Sequence, residues 1–170
     1  MTVRGPISPE EVGPTMMHEH IFKDTSAAFW DPSDLEDPEL GEKLMNASLS
    51  GLARWNGSMF RDDIVLLPDA DYDLMIEELG HYKSCGGGCI VELSIEGIKP
   101  APVRMRDLSQ DLDLHVVAGL GFYVHAIHPP WVDNASVEEL TDYFVKQLNE
   151  GLLGTDVRPG IIGEIGTSED

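Results

Sequence analysis

Three short apolar runs, separated by helical patterns, constrain this chain more than any other feature. Cys89-Ile90-Val91-Glu92-Leu93, His115-Val116-Val117-Ala118-Gly119-Leu120-Gly121 and Gly160-Ile161-Ile162-Gly163-Glu164-Ile165 each read as a strand with apolar residues on both faces. Thr15-Met16-Met17-His18-Glu19-His20 is a fourth strand candidate. Strands apolar on both faces need cover on both, and a parallel sheet wrapped by helices supplies it. The intervening segments carry the helices. Asp71 stands where it can cap a helix bearing Leu74, Met75, Leu79 and Tyr82 on one face. Gly86-Gly87-Gly88 ends that helix, because glycine accepts the left-handed conformation of a helix stop. A shorter helical patch surrounds Met105 and Leu108. Ser136 with Glu139 forms a capping box that opens a helix expected to bury Leu140, Phe144, Val145 and Leu148.

The class is therefore α/β, with four strands and about three helices. A closed (β/α)₈ barrel takes eight such units and roughly 250 residues, so these 170 residues match its first four βα units. Residues 1–170 are read as one unit, and the final Gly166-Thr167-Ser168-Glu169-Asp170 as a loop entering a further helix. Residues 22–69 break the rhythm. They hold Trp30, Trp55, Asp-Pro and Asn-Gly turn signals, and a helical patch around Leu40, Leu44 and Leu52. Insertions after barrel strands lie on the ligand-binding face, which makes this segment a candidate pocket cover, with plain surface decoration as the competing reading.

Charge narrows the partners. Eleven basic residues against 31 acidic ones leave a formal charge of −20, which repels phosphate backbones and anionic lipid. Neither nucleic acid nor membrane is an expected partner. No run approaches the ~20 apolar residues of a membrane span, and the opening residues lack the apolar core of a signal peptide. A cytoplasmic location is expected, so the Asn-x-Ser sequons at Asn46, Asn56 and Asn134 read as chance matches. Cys85 and Cys89 are expected to be free thiols rather than a redox pair.

The chemistry starts at His18-Glu19-His20. Residues i and i+2 of a strand share a face, so both imidazoles can converge on one point, as a transition-metal site requires. Alone the pattern is weak. Glu164 adds to it, since a carboxylate in an apolar strand needs a counter-charge, a cation or solvent. Glu92 raises the same question and is read as structural. Tyr123, His125 and His128 follow the third of these strands in a βα loop and are candidates to line a substrate pocket.

Taken together, the motifs resemble the phosphotriesterase family of the amidohydrolase superfamily. Gly5-Pro6-Ile7 with Met17-His18-Glu19-His20 resembles its opening strand. The likeness continues in order through Leu74-Met75-Ile76-Glu77-Glu78-Leu79, Gly87-Gly88-Cys89-Ile90-Val91-Glu92, Val117-Ala118-Gly119-Leu120-Gly121-Phe122-Tyr123, His128-Pro129 and Glu150-Gly151-Leu152-Leu153-Gly154-Thr155. It closes on Gly160-Ile161-Ile162-Gly163-Glu164-Ile165-Gly166-Thr167-Ser168, and is weakest between residues 25 and 60.

The resemblance implies two divalent metals, zinc first and manganese, iron or cobalt as alternatives. It makes His18 and His20 ligands of the more buried metal and Glu164 the bridging ligand with a catalytic role. Other members carry a carboxylated lysine there, so Glu164 resembles the glutamate-bridged, phosphotriesterase-related branch, and true phosphotriesterase activity is not expected. The implied chemistry is a metal-activated hydroxide attacking the carbonyl or phosphoryl centre of an ester, lactone or phosphoester. Homodimers are common in the family. Its remaining ligands, two histidines and an aspartate, would lie beyond residue 170, so these residues alone are expected to be inactive. The alternative is a non-catalytic half-barrel that binds a metal or a partner. An unrelated aldolase or isomerase barrel with a coincidental His-x-His is the weakest reading.

Overall fold

In this computed structural model, which describes residues 1–29, 37–57 and 59–168, four parallel strands form the central sheet. They are β1 (Thr15–Glu19), β4 (Cys89–Glu92), β5 (His115–Leu120) and β6 (Ile161–Ile162), in the spatial order β1-β4-β5-β6. β2 (Lys23–Asp24) and β3 (Val65–Leu66) form a separate antiparallel pair. Helices α5 (Tyr72–Ser84), α6 (Pro102–Asp111) and α7 (Val137–Glu150) are the crossovers between successive sheet strands. This is a parallel half-barrel of βα units, as the apolar runs required.

β4 is buried along its whole length, and its neighbours carry the core. Ile90, Val116, Ala118 and Leu120 from the strands pack with Met105, Leu108, Leu114, Leu152 and Val157. Each large apolar side chain so buried contributes roughly 1.5–3 kcal/mol. A smaller cluster of Ile95, Ile98 and Ile127, with Tyr123 and Val124 against it, lies past the C-terminal ends of β4 and β5. It floors the end of the sheet where the site residues gather.

Several expectations need correction. Asp71 occupies the N-cap position of α5, but its carboxylate accepts the upstream Leu67 N–H at 2.6 Å rather than an amide of the helix. Leu74 is exposed. The inward, half-buried face of α5 is Tyr72, Met75, Ile76, Leu79 and Tyr82, the stripe that the 3.6-residue period selects once Tyr72 anchors it. In α7 the Ser136–Glu139 capping box is present in both directions. Leu140 and Phe144 are half-buried, whereas Val145 and Leu148 join Val137 on an exposed face. That helix turns Leu140, Tyr143, Phe144 and Gln147 inward instead, and their i, i+3, i+4, i+7 spacing leaves the adjacent apolar face uncovered.

The segment after β1 holds α1 (Ser26–Phe29), α2 (Pro38–Gly41), α3 (Ser50–Trp55) and α4 (Arg61–Ile64). The expected helical patch around Leu40, Leu44 and Leu52 is thus two short helices, α2 and α3, with Leu44 between them and, like Trp55, exposed. Trp30 lies outside the described residues. Cys85 is exposed and Cys89 buried, both as free thiols. No helix among the described residues is long and apolar enough to cross a membrane.

Candidate metal centre

Every candidate ligand stands at the C-terminal ends of the sheet strands. His18 lies within β1 and His20 one residue past its end. The pairing of β1 with β4 slips by one residue between Met16 and Glu19. Such a bulge bends a strand and re-aims the side chains beside it. His18 is correspondingly open, its side chain 62% exposed, and His20 is tucked further in at 25%. The two rings meet edge-on with centroids 5.6 Å apart.

Glu164 comes from the other edge of the sheet. The expected strand over residues 160–165 is shorter than read, since β6 covers only Ile161–Ile162. It has one described neighbour, β5, and the ladder closes with Gly163 N–H donating to the Leu120 carbonyl at 3.0 Å. Beyond that point Glu164 adopts a left-handed backbone, φ +57°. This conformation costs a β-carbon-bearing residue on the order of 1 kcal/mol and is retained where surrounding structure holds it. Its carboxylate, 11% exposed, accepts a hydrogen bond from His18 Nε2 at 2.5 Å and lies 3.6 Å from His20 Nε2.

One ligand atom from each of His18, His20 and Glu164 lies within 4.8 Å of the other two. Two imidazole nitrogens and a carboxylate oxygen form a donor set suited to zinc, manganese, iron or cobalt. Burial holds the His20 imidazole below its ordinary pKa, aided by the charge of Lys23 and opposed by Glu164. The neutral ring is the form that binds a cation. The residues present fit a metal.

A cavity of about 200 Å³ opens beside this cluster, lined by His20, Lys23, Thr25, Ile98, Tyr123 and Glu164. A second cavity, of about 300 Å³ between residues 42 and 71, holds none of the candidate ligands. Tyr123 therefore shares a cavity with two of the candidate ligands. His125 and His128 are directed elsewhere. His125 Nε2 sits 3.3 Å from Asp133, and His128 Nε2 lies 3.0 Å from the Tyr123 carbonyl, which it can only approach as a donor.

Glu92, fully buried at the end of β4, accepts the N–H groups of Ile21 and Ser94, each at 3.2 Å. Burial pushes its carboxyl up to about 8 against the opposing hydrogen bonds of Ser94 and Ile21. Ser94, Lys23 and Thr25 were not singled out from the sequence. Ser94 carried a signal, since Glu92 and Ser94 sit two apart and so share a strand face. Lys23 and Thr25 carried none, because a loop has no periodicity to read.

The fold is thus a parallel βα half-barrel with a candidate metal site of two histidines and a glutamate at its C-terminal strand ends. The chain belongs to the phosphotriesterase family, whose model matches residues 1–170. It is 35% identical over 167 residues to an N-acetyltaurine hydrolase of Tetraodon nigroviridis, covering 98% of this chain and 47% of that one. The crystal structure of a resiniferatoxin-binding protein from Rhodobacter sphaeroides superposes with a TM-score of 0.88 at 34% identity, covering 98% and 46% of the two chains. A phosphotriesterase homology protein from Escherichia coli, solved with phosphate in its active site, shares the fold at TM-score 0.65 and 24% identity, over 94% and 43% of the chains. The chain spans about half the length of the curated relatives it matches.

Proposed function

We propose that this chain is the metal-binding first half of a hydrolase that uses two divalent cations, zinc foremost, to cleave esters, lactones or phosphoesters. The observation that carries the reading is the convergence of His18, His20 and Glu164 from opposite edges of one sheet. The acetyl amide in the name of its N-acetyltaurine hydrolase relatives extends the substrate range to amides, whose reacting centre is again a carbonyl.

His18 and His20 would hold the first cation, and Glu164 would help to hold both. When bound, such cations supply an acidified water and a Lewis acid at the oxygen that gains charge. Tyr123 and Ile98 would border the substrate. His125 and His128 would shape the loop that carries Tyr123. Lys23, on the cavity wall, would set a positive charge beside the substrate, a counter-charge for an anionic group such as a sulfonate.

The test is metal content. His20→Ala should lose bound zinc, read by elemental analysis, while keeping the wild-type circular dichroism. Unchanged stoichiometry would sink the assignment. The whole protein should hydrolyse members of a panel of lactones, aryl esters, phosphoesters and N-acetyltaurine, and lose that turnover in the same variant. Zinc retained with no turnover across the panel would favour the non-catalytic half-barrel instead.

A further inference from the structure

We propose that the substrate site has a second, apolar compartment, and that it selects N-acyl α-amino acids with an apolar side chain. The proposal rests on the hydrolase reading and names a substrate class for that same site. A cavity of about 240 Å³ opens between the β2–β3 ribbon and the loop that leads into α6. Its apolar wall is Leu66, Leu67, Pro68, Pro100 and Ala101. Lys23 belongs to this wall and equally to the cavity that holds His20 and Glu164. Lys23 and Leu66 are ladder partners, so their side chains stand on one face of the ribbon. The two cavities are neighbours across one residue.

The charges on this wall differ in kind. Lys99 and Asp24 also border the apolar cavity but engage each other at 2.5 Å, and Asp24 accepts the Ser26 donors besides. Lys23 has no ion pair or side-chain hydrogen bond among the described residues. An ammonium so placed is a ready counter-charge for an anionic ligand. Size points the same way. Ligand sites occupy roughly 300–1,000 Å³. Neither cavity reaches that range alone, at about 200 and 240 Å³, whereas the pair does.

A ligand that fills both sets three groups around Lys23. Its reacting carbonyl lies beside the candidate metal ligands, its anion at the ammonium, and an apolar group beyond. A single carbon bearing an acylamino group, a carboxylate and an apolar branch has this layout, and it is the α-carbon of an N-acyl amino acid. Hydrolysis adds water across the amide C–N bond and releases a carboxylic acid and the free amino acid. A glycine derivative would reach Lys23 but leave the apolar compartment unfilled. Even one methylene in such a pocket is worth about tenfold in kcat/KM.

The zinc-loaded whole protein should therefore cleave N-acetyl-L-leucine with a kcat/KM at least about tenfold above that for N-acetylglycine. Leu67→Asp should bring that ratio toward one. Leu67 is 44% exposed, so the fold tolerates the change. A second readout needs no turnover: in the 170-residue chain, N-acetyl-L-leucine should shift the backbone amide resonances of Leu66, Lys99 and Ala101, and N-acetylglycine should not. Equal turnover of the two compounds, a ratio that Leu67→Asp leaves as it was, or amides that N-acetyl-L-leucine does not move overturns the compartment and leaves the hydrolase reading standing. Turnover of lactones or esters with neither N-acyl amino acid cleaved does the same. No turnover of any of these carbonyl substrates overturns the hydrolase reading, and the proposal with it.

Discussion

Asp24 and Lys99 tie the loop after β1 to the loop after β4 at the rim of the site. Lys99 Nζ donates to Asp24 Oδ2 at 2.5 Å, while the Ser26 N–H and hydroxyl donate to Oδ1 at 3.0 and 2.5 Å. Burial acts to raise the Asp24 carboxyl, but the hydrogen bonds of Lys99 and Ser26 outweigh it and hold it below its usual value. A depressed folded pKa means stability that is fully present above the unfolded value and lost as pH falls through the folded one. Asp24→Asn should therefore cost about 1 kcal/mol at neutral pH, discounted because Lys99 is largely exposed. The difference from wild type should shrink toward zero below the ordinary carboxylate range. Urea melts across that window check it, and a constant difference would refute it. On the proposed function, Lys23 acts on substrate instead. Lys23→Met should lower kcat/KM of the whole protein about tenfold for an anionic substrate and leave its neutral analogue unchanged.

Among the elements, the segment carrying Glu164 is held by close backbone approach. A β-carbon on Gly121 would lie 2.4 Å from the Gly163 carbonyl oxygen and 3.2 Å from that of Glu164. Gly121→Ala must push the Glu164 segment away from β5. The chain should still fold, since Gly121 lies past the end of β5, while zinc affinity falls about tenfold. Calorimetric titration reads the outcome, and wild-type affinity would show that the segment accommodates the methyl group. The α7 cap is separable from the site. Ser136 accepts the Glu139 N–H at 3.2 Å and Glu139 accepts the Ser136 N–H at 2.8 Å. Ser136→Ala should cost about 1 kcal/mol of stability with no change in metal binding.

At the scale of the molecule, β1 and β6 are the outer strands of the four-stranded sheet. Unpaired strand edges and contiguous exposed apolar surface favour association. Met17, Ile162 and Ile165 are exposed on or beside these strands, and Val137, Val145 and Leu148 along α7. The 170-residue chain in isolation should self-associate with rising concentration, despite a charge of −20 that opposes contact. Sedimentation at a series of protein and salt concentrations tests this, and salt should promote the association by screening that repulsion. A monodisperse monomer throughout would contradict it.

Strand-helix alternation, the parallel sheet and the His18, His20, Glu164 candidates were legible in the sequence. Apolar runs and period-two spacing are local signals, and burial on both faces forces a covered sheet. The stop of α5 at the glycines and the Ser136–Glu139 cap were equally local. The face of α5 was misjudged at Leu74 and that of α7 at Val145 and Leu148, because neighbouring apolar stripes differ only in what packs against them. The left-handed turn at Glu164, the bulge beside His18 and the hydrogen bond between Ser94 and His20 could not be read. Each depends on contact between residues far apart in the chain: Leu120 ending the β6 ladder, Glu92 shifting register against Glu19, and Ser94 meeting a histidine 74 positions earlier. The sequence by itself marked His18, His20 and Glu164 as candidate ligands at or near strand ends. Only the tertiary structure decided where those strands lie and which imidazole nitrogens face Glu164.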